Sequence, residues 1–196
     1  MTKYKFTPVN AIANLLNKKQ YKPVCTNTFK LASLTLFESN DMERTEWRKD
    51  GYLLSTDRSK IDVEAVHRFL SKSYWAENIP LEVVKKSIDN SLCFALYHQQ
   101  RLVGFARVIS DFATFAYLAD VFVVPQERGR GLAKWLMHVI IDHPRLHGLR
   151  RFTLATRDAH ALYAQFGFTS FDKPERWMQK HNPDVYKTSA KTDLGD

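Results

Sequence analysis

The ten residues FAYLADVFVV, 115–124, hold a single charged side chain among nine apolar or aromatic ones. A run this apolar reads as a strand covered on both faces, which demands a sheet with helices packed above and below it. The strand pattern stops at Pro125, and QERGRGLAKW follows, with glycines at 129 and 131 before a helical pattern begins. A chain of 196 residues with 44% apolar content can build one such domain and still leave extensions.

The flanking patterns agree with that frame. GYLLST reads as a short strand, and IDVEAVHRFLSKSYW as a helix with Val63, Val66, Phe69 and Leu70 on one stripe. Pro80 opens a second helix, PLEVVKKSIDN. SLCFALY and LVGFARVI form a hairpin through HQQR. The helix after the glycines turns Leu132, Trp135, Leu136, Val139 and Ile140 inward and stops at Pro144. RRFTLAT is a further strand, Asp158 an N-cap for AHALYAQF, and Gly167 its C-terminal stop. FTSF and the segment around RWMQ are expected as final edge strands. The order of elements predicts an α/β (α+β) fold, a mixed sheet with helices on both faces. Simple alternation puts Asp120 on the same strand face as Leu118, Phe122 and Val124.

The net charge of +8 is unevenly placed. Residues 1–37 hold six lysines, no arginine and no acid, whereas 23 basic residues face 21 acidic ones from Glu38 onward. The expected division is a basic extension over 1–48, a domain over 49–181 and a polar, fraying tail over 182–196. Within the extension, Val9, Ile12, Ala13 and Leu16 share a helical face and Phe29–Phe37 reads as a strand. Such an arm could be a solvated extension, an oligomer contact (a homodimer, for instance), a weak polyanion binder or a transit segment, although transit segments usually carry arginine. Near neutrality after residue 37 and the lack of an aromatic-interleaved basic face argue against nucleic acid. No apolar run approaches the roughly 18 residues of a membrane span, and no secretion signal is visible. Cys25 and Cys93 alone make neither a disulfide framework nor a metal cluster. Cytoplasmic placement is therefore expected, with no metal.

The glycine turn departs from two familiar phosphate motifs. A P-loop needs Lys then Ser or Thr after its last glycine, where this chain has Leu132 and Ala133. The dinucleotide fingerprint needs a third glycine where Lys134 stands. What remains is a strand, a turn whose bare backbone can point N–H groups at one anion, a helix start, and counter-charge from Arg128, Arg130 and Lys134. That suits a pyrophosphate. It also suits an ordinary strand-to-helix turn in which glycine only permits a positive φ.

QERGRGLA resembles the Gln/Arg-x-x-Gly-x-Gly/Ala signature of the GNAT superfamily of acyl-CoA N-acyltransferases, through Gln126, Gly129 and Gly131. ALYAQFGF resembles that family's Tyr-x-x-x-Gly-Phe, through Tyr163, Gly167 and Phe168. The likeness covers roughly residues 50–180. It implies the GNAT fold, a mostly antiparallel sheet of six or seven strands with central strands splayed to hold coenzyme A. It implies acetyl-CoA as co-substrate, Phe122, Val123 and Val124 along the pantetheine arm, and amides from Arg128 through Gly129, Arg130, Gly131 and Leu132 to Ala133 on the pyrophosphate. Tyr163 matches the acid that protonates the departing thiolate, the alternative being a core tyrosine. Asp120 is a candidate base if desolvation raises its pKa, the alternative being a buried partner of Arg107. Tyr74, Trp75 and Glu77 fall where the family builds its acceptor wall. Asp158 stands where many relatives have asparagine, which puts one coenzyme contact in doubt. The implied activity is acetyl transfer to a primary amine of a small or amino-acid-like molecule. A non-catalytic acyl-CoA sensor and a protein or peptide N-acetyltransferase are the alternatives.

Overall fold

A computed structural model describes residues 45–187. The helical face at Val9–Leu16 and the strand at Phe29–Phe37 lie outside the described residues. Six strands form one sheet: β1 (Glu46–Lys49), β2 (Tyr52–Ser55), β3 (Leu92–His98), β4 (Arg101–Ser110), β5 (Phe115–Val123) and β6 (Arg151–Leu154). Their spatial order is their chain order. Neighbours run antiparallel as far as β5, and β6 lies parallel to β5. β1 pairs with β2 around Asp50 and Gly51, both at positive φ as a tight hairpin turn requires. The boundary expected at 48/49 therefore cuts through a strand of the sheet.

Helices cover both faces, as the apolar β5 demands. Leu92, Phe94 and Leu96 of β3 pack with Trp135, Leu136 and Ile140 of α3 (Leu132–Ile141). The alternate residues Cys93, Ala95 and Tyr97 pack with Val66 and Leu70 of α1 (Val63–Leu70) and with Val84 and Ile88 of α2 (Leu81–Asp89). Asp62 caps α1 by accepting from the Ala65 amide at 2.8 Å. The helix covers its apolar stripe but stops short of the expected 61–75, because the Ser73 hydroxyl donates to the Phe69 carbonyl at 2.9 Å and the chain turns through residues 71–79.

Strand β5 is not regular. Phe122 faces Phe105, but the next matched pair is Ala119 with Arg107, so Asp120 and Val121 together oppose Ala106. This is a β-bulge, with Asp120 at a φ of 54°. The extra residue shifts the alternation. Leu118 packs on the α3 side, whereas Phe122 lies in the other core and stacks on Phe69 of α1 at 3.8 Å. The expectation that Asp120 shares one face with Leu118, Phe122 and Val124 is thereby corrected.

Other differences are local. FTSF and the RWMQ region form no strand, and β6 is the last strand among the described residues. Their aromatic side chains serve packing instead: Phe168 contacts Phe152 and Tyr163, and Phe171 lies on Trp177 at 4.1 Å. Helix α4 (His160–Ala164) starts after Ala159 with no side-chain cap, from Asp158 or otherwise, and the Thr156 hydroxyl accepts from the Ala159 amide at 3.0 Å in the turn before it. Gly167 does end that helical segment, at a φ of 83°. The tail does not simply fray after His181, since Tyr186 packs on the core beneath α1 and α2.

Phe122 joins the bulged strand to α1 and is 5% exposed. Phe122→Ala should therefore cost about 3–5 kcal/mol of unfolding free energy, read from the denaturant midpoint.

Candidate functional site

The pairing of β5 with β6 runs only from Phe115–Arg151 to Leu118–Leu154. Beyond it, β5 continues for five residues with no residue of β6 opposite them. β6 ends at Leu154, so the edge of β5 from the bulge at Asp120 onward is left without a strand partner, and this opening is the wedge. Val124 contributes no free main-chain group there, because its amide bonds the Val103 carbonyl at 2.8 Å and its carbonyl accepts from Glu127 at 3.0 Å. The side chains of Phe122 and Val123 are buried, one in each core.

The glycine turn closes the wide end of the wedge. Gly129 and Gly131 lie at φ 78° and 74°, so glycine is required by the backbone itself. A methyl group built on either would meet no atom within 4 Å, so the space before both is open. The Arg128 amide is already used by the Pro125 carbonyl at 3.3 Å, which corrects its expected place among the anion-binding amides. Those of Gly129, Arg130, Gly131, Leu132, Ala133 and Lys134 find no acceptor among the described residues. Helix α3 has no side-chain cap and no acid in its first turn. Six unspent donors at the positive end of a helix dipole, flanked by cations, are chemically suited to an anion such as a diphosphate.

The narrow end of the wedge opens into a cavity of about 540 Å³ lined by Tyr74, Trp75, Arg107, Asp120 and Tyr163 among others. Tyr163 is 8% exposed. Its hydroxyl has no hydrogen-bond partner among the described residues, and burial pushes its pKa up to about 12, with smaller contributions from Tyr74 and Asp158. Asp120 is not the isolated carboxylate that a base role was expected to use. Its Oδ2 accepts from Arg107 Nε, and its Oδ1 accepts from the Trp75 indole at 3.3 Å. Tyr74 stands under the Arg157 guanidinium, 3.7 Å from its ring centre, and bridges the segment after α1 to the loop after β6. Glu77 is exposed and is not part of the cavity wall, so the expected aromatic pair is present without its carboxylate.

Several lining residues escaped the sequence reading. Arg157 and Tyr117 carry no motif, and only the fold brings them to this cavity. Thr156, which accepts from the Ala159 amide, was masked by Asp158. A larger cavity, about 740 Å³, lies by Arg151, Phe166 and Trp177, and neither Tyr163 nor the glycine turn lines it. Among the described residues no cluster of three metal-ligating side chains occurs, and no helix is long and apolar enough to cross a membrane.

A mixed sheet with one parallel pair, unspent amides at a glycine turn and a buried phenol beside a cavity is the arrangement on which the family match falls. Residues 62–168 match the model of the acetyltransferase (GNAT) family. The chain belongs to that family and is an acyltransferase; the family uses acetyl-CoA and acts on amine acceptors. A GNAT-family protein of Xanthomonas campestris pv. campestris has a similar structure, with 53% identity and a TM-score of 0.68 over 69% of this chain and 96% of that one. A protein of Gibberella zeae named as an acetyltransferase is 30% identical over 142 residues, 61% of this chain and 79% of its own length. An N-acetyltransferase, ycf52, of Gracilaria tenuistipitata var. liui is 34% identical over 116 residues, 56% of this chain and 63% of that one.

The buried phenol gives a pH test. Folded Tyr163 keeps its proton to about pH 12, whereas an unfolded tyrosine loses it near 10. Its contribution to stability is complete below pH 10 and is lost as pH rises towards 12. Melting midpoints between those limits should fall less steeply for Tyr163→Phe than for the parent protein.

Proposed function

We propose that this protein is an acetyl-CoA-dependent N-acetyltransferase whose acceptor is a primary amine of a small or amino-acid-like molecule. The observation that supports this reading is that residues 119–123 of β5, left without a β6 partner, run from the cavity that Tyr163 lines towards the glycine turn with its unspent amides. That cavity has the size of small-molecule pockets, about 300–1,000 Å³.

Acetyl-CoA supplies a thioester, in which a C–N bond to the amine forms and the C–S bond breaks. The amides from Gly129 to Lys134 hold its diphosphate, and Arg130 and Lys134 add counter-charge. Tyr163 is neutral at working pH and therefore remains a donor. A thiol titrates near 8.5, roughly 3.5 units below this phenol, so complete proton transfer from Tyr163 would run about 5 kcal/mol uphill. Tyr163 accordingly donates a hydrogen bond to the sulfur as negative charge develops there, and the proton that ends on sulfur comes from the acceptor's nitrogen. With one of its oxygens held by Arg107 and the other by Trp75, Asp120 fixes the bulge and the indole rather than accepting the amine's proton.

Thiol release from acetyl-CoA should be stimulated by members of a panel of amino acids, polyamines and amino sugars. Tyr163→Phe should lower kcat about a hundredfold with little change in acetyl-CoA affinity. Gly131→Val should reverse that pattern, by closing the space in front of the amides and straining the φ of 74°. Stimulation by peptide N-termini alone would replace the small-molecule reading, and equal kcat in Tyr163→Phe would remove the phenol from the chemistry. Asp120→Asn should lower the melting midpoint while preserving the shape of the kcat–pH profile. Loss of that profile's acidic limb would make Asp120 the base.

A further inference from the structure

The turn that carries two glycines has few internal restraints. Between Val124 and Leu132 the main-chain bonds among the described residues are Glu127 to Val124, Arg128 to Pro125, and the Gly131 carbonyl accepting from Trp135 at the start of α3. Glycine at positive φ does not hold a loop in shape unaided. Two side chains at its base do so. Arg128 Nε donates to the Val123 carbonyl at 3.1 Å, tying the turn to the end of β5. On the other side Glu127 reaches the far strands of the sheet. The Tyr52 hydroxyl donates to its Oε2 at 2.7 Å across 75 residues of sequence, and His98 Nδ1 lies 3.2 Å from its Oε1. Because an ionised carboxylate only accepts, that ring nitrogen carries its proton and donates. Tyr52 and His98 are direct partners in the β2–β3 ladder, and their rings stack at 4.5 Å beneath the carboxylate. The same Oε2 takes Arg130 Nε at 3.3 Å.

The arrangement is unusual for a site meant for an anion, since it places a carboxylate, only 16% exposed, within the turn. Tyr52 above all, then His98, holds Glu127 below the ordinary carboxylate range, so its charge persists. A neutral side chain would have served packing equally well and would not repel a diphosphate. The charge strengthens the bonds from Tyr52 and His98 and also pairs with Arg130. That guanidinium is 60% exposed, and a guanidinium has five N–H donors, of which Glu127 engages Nε.

We propose that Glu127 is a positioning residue for coenzyme binding: anchored by Tyr52 and His98, it fixes the glycine turn to the sheet and orients Arg130 towards the bound diphosphate. This rests on the reading of the turn as the coenzyme site. Glu127 touches no reacting atom and acts through Arg130 and the turn.

Calorimetry and steady-state rates with acetyl-CoA on the full chain test it. Glu127→Gln keeps the size and removes the charge. It should weaken acetyl-CoA binding about tenfold, in Kd and in KM, with kcat at saturating acetyl-CoA retained. Arg130→Gln should show a similar loss, and the losses in the double variant should be less than additive, because part of the Glu127 effect passes through Arg130. Tyr52→Phe preserves the ring stack and should move affinity the same way by a smaller factor. It carries the test if Glu127→Gln melts too early to assay. Unchanged Kd in Glu127→Gln or Tyr52→Phe, additive losses in the double variant, or a fall in kcat at constant KM would each overturn the proposal. Such results leave the coenzyme reading standing as long as the parent protein binds. Absence of heat with the parent protein overturns the coenzyme reading, and this inference with it.

Discussion

The parallel contact between β5 and β6 lasts four residues and then ends, and the site exists because of that ending. Backbone donors and acceptors that lose a strand partner must find another or face solvent. Here the released length of β5 runs between two cores, so it is held rigidly while one edge stays open. The bulge at Asp120 lies within that length. It inserts one residue opposite Ala106 and turns Phe122 into the core beneath α1.

A rigid opening is useful only if both of its ends are equally fixed. At the wide end, the unpaired amides of α3 are costly to desolvate and valuable to an anion, so their geometry has to be set before a ligand arrives. Arg128 and Glu127 do this from opposite sides of the turn, one toward β5 and the other toward β2 and β3. At the narrow end, the Arg107–Asp120 pair crosses β4 and β5 and continues to the Trp75 indole. A half-buried ion pair adds little stability for its desolvation cost, but it fixes geometry. The wall of the acceptor cavity is thereby tied to the strand that would carry the thioester.

Tyr163 shows how burial and chemistry connect. The phenol lies in the same apolar cluster as Leu118 and Leu132, which keeps it neutral over the whole working range. A group so reluctant to ionise suits hydrogen-bond donation to a forming anion better than outright proton release. Membership of the GNAT family and the position of this phenol thus converge, the one from sequence likeness and the other from solvation.

Much of this was legible before any coordinates. The hairpin of β3 and β4, the apolar length of β5, the helical stripes of α1 and α3, and the paired glycines and Tyr163 at motif spacing are local patterns, and local sterics and burial fix their outcome. The sequence therefore determined the layered α/β architecture, the family and the place of the glycine turn before α3. It did not show that β5 gains a residue opposite Ala106, that the Val124 main chain is spent, or that Glu77 points away while Arg157 lies over Tyr74. Nor did it show that Tyr52, His98, Glu127 and Arg130 converge. These depend on strand register and on contacts across dozens of residues. Alternation carries no mark of where it slips, and a side chain's partners are chosen by packing that only the assembled sheet supplies.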